Sequence, residues 1–271
     1  GGDNSPQKTI NGVKLFVESR KSDDYLLNLF GNEKLIISEL DKQKISKKSI
    51  NIFHSESAIS DKETPLTAIK KSKNTSMWNC INSQLISESD ISLSAGNTGV
   101  LLVISRMILK MMDQVSKPAL AGLWPNKTGT NVVLDLGANI ECNDENLIDF
   151  SELGSALFKS LFPEKKPIVS LLNVGSEEIK GTEELKRAFK KLSELSSDNN
   201  FIFNGYIEGD KIMDGDSNVI VTDGFTGNIA LKTAEGTAKF ITNNLKETLT
   251  QNLFTKISLI FSFLALNKFK K

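Results

Sequence analysis

The sequence predicts an α/β protein, a three-layer αβα arrangement around a mostly parallel sheet. One pattern carries the prediction by recurring: a short apolar run, then a polar residue with a glycine, then an amphipathic helix. It stands at Ser92-Leu93-Ser94-Ala95-Gly96-Asn97-Thr98-Gly99, at Val132-Val133-Leu134-Asp135-Leu136-Gly137-Ala138-Asn139, at residues 168–175, and at Val219-Ile220-Val221-Thr222-Asp223-Gly224-Phe225-Thr226-Gly227-Asn228. Uninterrupted Val, Ile and Leu runs read as strands buried on both faces, hence as a parallel sheet covered by helices. Ligands of such sheets sit beyond the carboxyl ends of the strands, so these polar loops are expected to converge on one crevice.

The bulk properties agree with a folded α/β chain. Its 271 residues suffice for a large core, and 39% apolar with 24% charged residues is ordinary globular composition. A formal net charge of zero argues against a general nucleic-acid binder. Of the 33 basic residues only Arg20, Arg106 and Arg187 are arginine, so the lysine content by itself assigns no function. Cys80 and Cys142 lack any Cys-x-x-Cys or Cys/His spacing. That fits a reducing, cytoplasmic setting and offers no zinc site. No metal and no cofactor are expected.

Taken in order, the chain predicts a helix over residues 8–20, a strand over 26–30, a short helix over 33–40 and a strand over 49–54. His54 is the only histidine. It has no acid or hydroxyl at a catalytic spacing and reads as structural, which removes a serine-hydrolase triad. Thr64-Pro65 starts a further helix. Its Lys70, Lys71 and the following Lys73 fit either a solvated helix end or ligand contact. A helix follows to Ile86, then a strand leading into the loop at Ser94. Residues 118–130 hold a strand and a loop. Leu147, Phe150, Leu153, Leu157, Phe158 and Leu161 lie on one helix face. Thr182 is placed to cap the helix that opens with Glu183 and Glu184, and residues 201–206 form a strand. Residues 210–216 read as a short helix or turn, and a long helix runs from Asn228 to about residue 249.

The tail departs from this pattern. No acidic residue follows Glu247, and Leu253, Phe254, Ile257, Leu259, Ile260, Phe261, Phe263, Leu264 and Leu266 precede Lys268, Lys270 and Lys271. Such a stretch is too short to span a bilayer, for which about 20 apolar residues are needed. It suits a membrane interface, and it suits equally a core or dimer helix. The whole chain reads as a single α/β catalytic domain over residues 1–271, with residues 240–271 a helical arm and basic apolar tail.

The chemistry concentrates in the loops. Gly96 and Gly99 permit a tight turn, and the first N–H groups of the following helix lack internal partners, which makes the loop a cradle for an anion. Lys180, where a loop returns to a helix start, is placed to aim an ammonium group into the crevice, whereas Glu177 and Glu178 face solvent. Together, Gly1-Gly2-Asp3, Ser94-Ala95-Gly96-Asn97-Thr98-Gly99, Asp135-Leu136-Gly137-Ala138-Asn139, Asn173-Val174-Gly175 with Lys180-Gly181, and Asp223-Gly224-Phe225-Thr226-Gly227-Asn228 resemble the phosphate acyltransferases of bacterial phospholipid synthesis. The motifs stand in the family's order along nearly the whole chain.

The resemblance implies an isocitrate/isopropylmalate dehydrogenase-like fold and a homodimer. The implied enzyme moves a long-chain fatty acyl group from acyl carrier protein to orthophosphate, and a membrane glycerol-3-phosphate acyltransferase uses the product. It implies Lys180 and Asn228 as catalytic residues that stabilise the oxyanion. Phosphate and acyl binding falls to Gly2, Asp3, Ser94, Gly96, Asn97, Thr98, Gly99, Asp135, Asn139, Asp223, Gly224, Thr226 and Gly227. Among these, Asp135, Asn139 and Asp223 are expected to fix loop geometry, and the N–H groups of residues 224–228 to hold phosphate. The implied location is the cytoplasm, with peripheral attachment to the membrane surface through residues 253–271. The family's pattern also places a strand ahead of Gly1 and further segments beyond residue 271, so the sequence is expected to be a truncated form. Two other readings stay open: a same-fold phosphotransacetylase or nicotinamide-dependent dehydrogenase, and a non-catalytic remnant that binds carrier protein or membrane. The chain has no Gly-x-Gly-x-x-Gly fingerprint to favour the dehydrogenase.

Overall fold

The computed structural model describes residues 2, 4–20, 22, 24–60, 63–195, 200–252 and 254. Asp3 and almost all of the apolar tail, residues 253 and 255–271, lie outside the described residues. Where one domain is expected from sequence, the chain falls into two compact units, Gly1–Pro118 and Ala119–Lys271.

The first unit contains α1 (Gln7–Ser19), β1 (Leu27–Gly31), α2 (Glu33–Lys42), β2 (Ile50–His54), α3 (Pro65–Lys71), α4 (Ser76–Leu85) and α5 (Thr98–Leu109). β1 and β2 pair in parallel from Leu27 opposite Ile50 to Gly31 opposite His54. Ile10, Ile36 and Leu40 project from one side of α1 and α2 onto Leu29, Ile50 and Ile52 of this pair. A separate cluster joins Met77 and Ile81 of α4 to Val100, Ile104 and Ile108 of α5, spacings of four that put each set on one helix face. His54 performs the structural task expected of it: its Nδ1 accepts the Glu33 N–H at 3.3 Å, at the start of α2. Lys70 and Lys71 occupy the exposed last turn of α3, where a cation suits the helix dipole.

The strand expected ahead of Ser94 is not formed. Residues 91–95 carry no ladder, and Ile91 and Leu93 are 74% and 85% exposed. Alternating apolar residues make a strand only when a neighbour accepts their backbone groups, and no described strand does so here.

The second unit is the more regular. It runs β3 (Gly122–Asn126), β4 (Gly129–Leu134), α6 (Asp144–Leu161), β5 (Ile168–Leu172), α7 (Glu183–Leu195), β6 (Ile202–Ile207), β7 (Val219–Val221) and α8 (Gly224–Thr250). The sheet order is β3-β4-β7-β5-β6, parallel except for the β3 hairpin edge. The period of two along each strand builds three layers. Val132, Leu134, Val169, Leu171, Val219 and Val221 face Leu147, Phe150 and Phe158 of α6 and Ala188 and Leu192 of α7. Val133, Leu172 and Ile220 face the other way, toward Ala230, Leu231 and Ala234 of α8. Each fully buried Val, Leu or Phe of these layers is worth about 1.5–3 kcal/mol in transfer free energy.

One charged cluster ties α6 to α7. The Asp144 carboxylate accepts Lys191 Nζ at 2.7 Å and Arg187 Nε at 3.3 Å. The bond from Lys191, helped by that from Arg187, holds the Asp144 carboxyl below the usual carboxylate range. A carboxylate whose folded-state pKa is lowered adds stability above its unfolded value of about 4, and that stability fades as the pH falls through the lowered value. Asp144→Asn is therefore expected to lose about 1 kcal/mol at pH 7, a drop in Tm of roughly 2–4 °C. The gap between wild type and variant in urea melts is expected to close as the pH is taken down from about 4. A gap that stays constant down to that pH and below would show that the pairing carries no stability.

Candidate active site

The second unit gathers its sequence-predicted residues at the carboxyl ends of β4, β5 and β7. Asp135 follows directly on β4 and is fully buried. Its backbone N–H reaches Thr222 at 2.9 Å, prolonging the β4–β7 pairing, and its carboxylate turns inward. Oδ1 accepts the N–H groups of Leu120 (3.0 Å), Gly137 (3.0 Å) and Ala138 (2.9 Å). Oδ2 accepts both the backbone N–H and the side-chain Nδ2 of Asn139, each at 2.8 Å. No cation takes part in these bonds. A buried carboxylate without a counter-ion is tolerated only when its lone pairs are filled by donors, and here the turn itself supplies most of them.

The first turn of α8 closes onto that loop. Asn139 O accepts the Gly224 N–H at 2.7 Å. A Cβ on Gly224 would lie 2.5 Å from the Asn139 carbonyl oxygen, and one on Gly227 would overlap the carbonyl oxygen of Asp135. Asp223 caps the helix: Oδ1 accepts the Thr226 N–H at 2.9 Å and Oδ2 the Thr226 hydroxyl at 2.7 Å. Asp135, Asn139 and Asp223 thus fix loop geometry. The same bonds bear on three N–H groups of the expected phosphate cradle over residues 224–228. The N–H groups of Gly224, Thr226 and Gly227 are already engaged by Asn139, by the Asp223 side chain and by the Asp223 carbonyl at 2.9 Å. Gly224 and Gly227 allow this close packing. Asn228 is exposed, and its side chain lies 3.5 Å from where a Cβ of Gly137 would stand.

Lys180 sits on the neighbouring loop, beyond β5. Its side chain is exposed and forms no ion pair among the described residues. Asn173, at the end of β5, stands in one of the motifs that carry the resemblance but without an expected site role, and it holds this loop. Its Nδ2 donates to Lys180 O at 3.2 Å and its Oδ1 accepts the Val174 N–H at 2.9 Å. The motif marks Asn173, but its role depends on the Lys180 carbonyl seven residues on, which the loop closure reveals.

In the first unit, the loop at residues 94–99 forms the expected helix entry. Ser94 Oγ accepts the Gly96 N–H at 3.2 Å, and Asn97 Oδ1 caps α5 by accepting from Val100 at 3.1 Å. Thr98 and Gly99 open the helix. Gly2 packs against the Ala95 carbonyl so closely that a side chain there would collide with it. This loop belongs to a different compact unit from Asp135, Lys180 and Asn228. Cys80 is not a nucleophile in waiting, because burial pushes its thiol pKa up. Among the described residues no group of three or more His, Cys, Asp or Glu side chains is arranged to hold a metal ion.

A family model described as fatty acid synthesis protein matches residues 1–271. A phosphate acyltransferase of Pelagibacter ubique (strain HTCC1062) is 51% identical over 271 residues, covering 100% of this chain and 80% of that relative. This chain belongs to the phosphate acyltransferase family. A second phosphate acyltransferase, from Caulobacter vibrioides, is 38% identical over 270 residues, 100% of this chain and 74% of its own length. Among solved structures, a phosphotransacetylase from Streptococcus pyogenes matches with a TM-score of 0.61 at 14% identity, covering 87% of this chain and 80% of that one. The EutD phosphotransacetylase from Staphylococcus aureus matches at 0.59 and 16% identity, covering 86% and 80%. These likenesses establish the fold, a three-layer α/β arrangement with mostly parallel sheets.

The packing of α8 on the Asp135 loop leads to a paired expectation. Gly227→Ala forces backbone apart and is expected to destabilise by about 2–4 kcal/mol. Gly236→Ala, in the same helix with nothing within 4 Å of the new Cβ, should stabilise by up to about 1 kcal/mol through helix propensity. Chemical denaturation of both variants checks this, and a neutral Gly227→Ala would refute the close approach.

Proposed function

We propose that this chain transfers a long-chain fatty acyl group from the thioester of acyl carrier protein to orthophosphate. The observation that carries the reading is Lys180: an exposed ammonium group on a hydrogen-bonded loop at the carboxyl end of β5, with no ion pair among the described residues. The names borne by the relatives support the same reaction class.

The reaction asks little covalent chemistry of the protein, because phosphate at neutral pH is itself the nucleophile. A phosphate oxygen attacks the thioester carbonyl, an O–C bond forms, and the carbonyl oxygen gains negative charge. Lys180 and the Asn228 amide supply the positive charge and the donor that an oxyanion requires. The intermediate collapses with cleavage of the C–S bond. The thiolate leaves with the electron pair and takes a proton from water, and the product is an acyl phosphate. In the first unit, the N–H groups of Thr98 and Gly99 at the start of α5 are the proposed anion donors. Asp3 is proposed from sequence alone, as part of the Gly1-Gly2-Asp3 motif.

The proposed assembly is a homodimer. Beyond its first turn α8 buries no residue, and Phe240 and Ile241 are 70% and 55% exposed, an apolar face that a second copy would cover. Among the described residues no helix is long and apolar enough to cross a membrane. Peripheral attachment through residues 253–271, near the membrane acyltransferase that consumes the product, is proposed from their apolar and basic composition.

Thiol release from acyl carrier protein is expected to require orthophosphate, and release without it would indicate a thioesterase. Lys180→Ala and Asn228→Ala should each lower turnover by roughly a hundredfold or more with the fold retained, the loss expected for an oxyanion donor. Circular dichroism and steady-state rates check both, and near-normal turnover in both variants would remove these residues from the mechanism.

A further inference from the structure

The Lys180 loop is held from inside by one side chain whose two ends are both matched. Asn173 leaves β5 with its backbone N–H bonded to Ile207 O of β6 at 2.9 Å, so it is anchored in the sheet. Its amide oxygen accepts from Val174 and its amide nitrogen donates to Lys180 O, which joins the two ends of the loop at residues 174–180. Lys180 N–H in turn bonds Glu177 O at 3.0 Å, closing a turn inside that loop. Two glycines make room. Gly181, at φ +89°, would carry a Cβ 2.5 Å from Asn173 Oδ1, so a side chain there would break into the amide. Gly175 is buried beneath the Lys180 side chain, and a Cβ on it would lie 3.1 Å from Lys180 Cγ and 2.7 Å from Glu177 Oε2.

We infer that Asn173 is a positioning residue for the acyl-transfer step: with Gly175 as floor and Gly181 as hinge, it sets the backbone and side-chain stem from which the Lys180 ammonium group acts. The inference rests on the proposed role of Lys180. Oxyanion stabilisation depends on donor placement to within a fraction of an ångström, and a long lysine side chain leaving an untethered loop would sample far more than that.

The test is a double-mutant cycle in the full chain, read by phosphate-dependent thiol release and by thermal melts. Asn173→Ala should lower kcat by about tenfold or more while KM for phosphate changes by less than about twofold. Asn173→Asp keeps the acceptor for Val174 but loses the donor to Lys180 O, and should be impaired alike. Gly175 is not among the glycines at positive φ, and a Cβ there presses on the Lys180 stem and a flexible carboxylate. Gly175→Ala should lower kcat severalfold without shifting Tm, and so serves if Asn173→Ala fails to fold. In a Lys180→Ala background, each of these changes should add less than about a twofold further loss. If Lys180→Ala is severely impaired and the second changes multiply the loss independently, the positioning role is overturned while the functional reading stands. If Lys180→Ala turns over normally, the role of Lys180 falls and this inference with it, whereas thiol release without orthophosphate in the unaltered chain is the result that would overturn the functional reading.

Discussion

The buried Asp135 carboxylate is the constraint on which the candidate site depends. It sits where β4 ends, takes five donors from the loop it opens and from Leu120, and so converts a glycine-bearing loop into a fixed surface. The first turn of α8 is then laid on that surface, with Gly224 and Gly227 admitting the backbone of the Asp135–Asn139 turn. Because every donor is neutral, the loop is held by oriented dipoles and not by an ion pair, and added salt has little to screen.

The three-layer architecture translates this local anchoring into an active surface. β7 lies between β4 and β5, so the loops that carry Asp135, Asp223 with Asn228, and Lys180 leave adjacent strands at the same end of one sheet. The strands are short, three residues in β7 and five in β5, and buried on both faces. They tolerate little sliding, since a one-residue slip would turn Val219 and Val221 away from α6 and α7. The register of the sheet therefore fixes the spacing of the polar loops.

Much of this was legible in the sequence, for physical reasons that differ by element. The runs at Val132, Ile168 and Val219 announce themselves because doubly buried strands admit only apolar residues, and the residues that cap turns follow directly. The caps at Thr182 and the loop-fixing roles of Asp135 and Asp223 depend on neighbours within five residues and could be read from local chemistry. What escaped depends on distant partners. Ile91 and Leu93 alternate like a strand, but pairing is non-local and is not supplied by the described residues. The close approach of carbonyls to Gly224 and Gly227 is hidden too, because a glycine that makes room for a phosphate and one that makes room for a carbonyl look the same in one dimension. Asn173 stands in a motif yet its role is not legible there for a related reason: its partner is Lys180 O, seven residues on.

α8 is one helix of 27 residues to the eye and two in stability. Its opening turns are riveted to the Asp135 loop and to Leu136, Leu172 and Ile220 through Ala230, Leu231 and Ala234. From residue 235 onward almost every position faces solvent, and a helical stretch of that length without packing is marginal in water. Amide protons along this single element should thus exchange in two regimes, the first turns only with opening of the core and the remainder by local fraying. Whatever covers Phe240 and Ile241 would merge the two regimes into one.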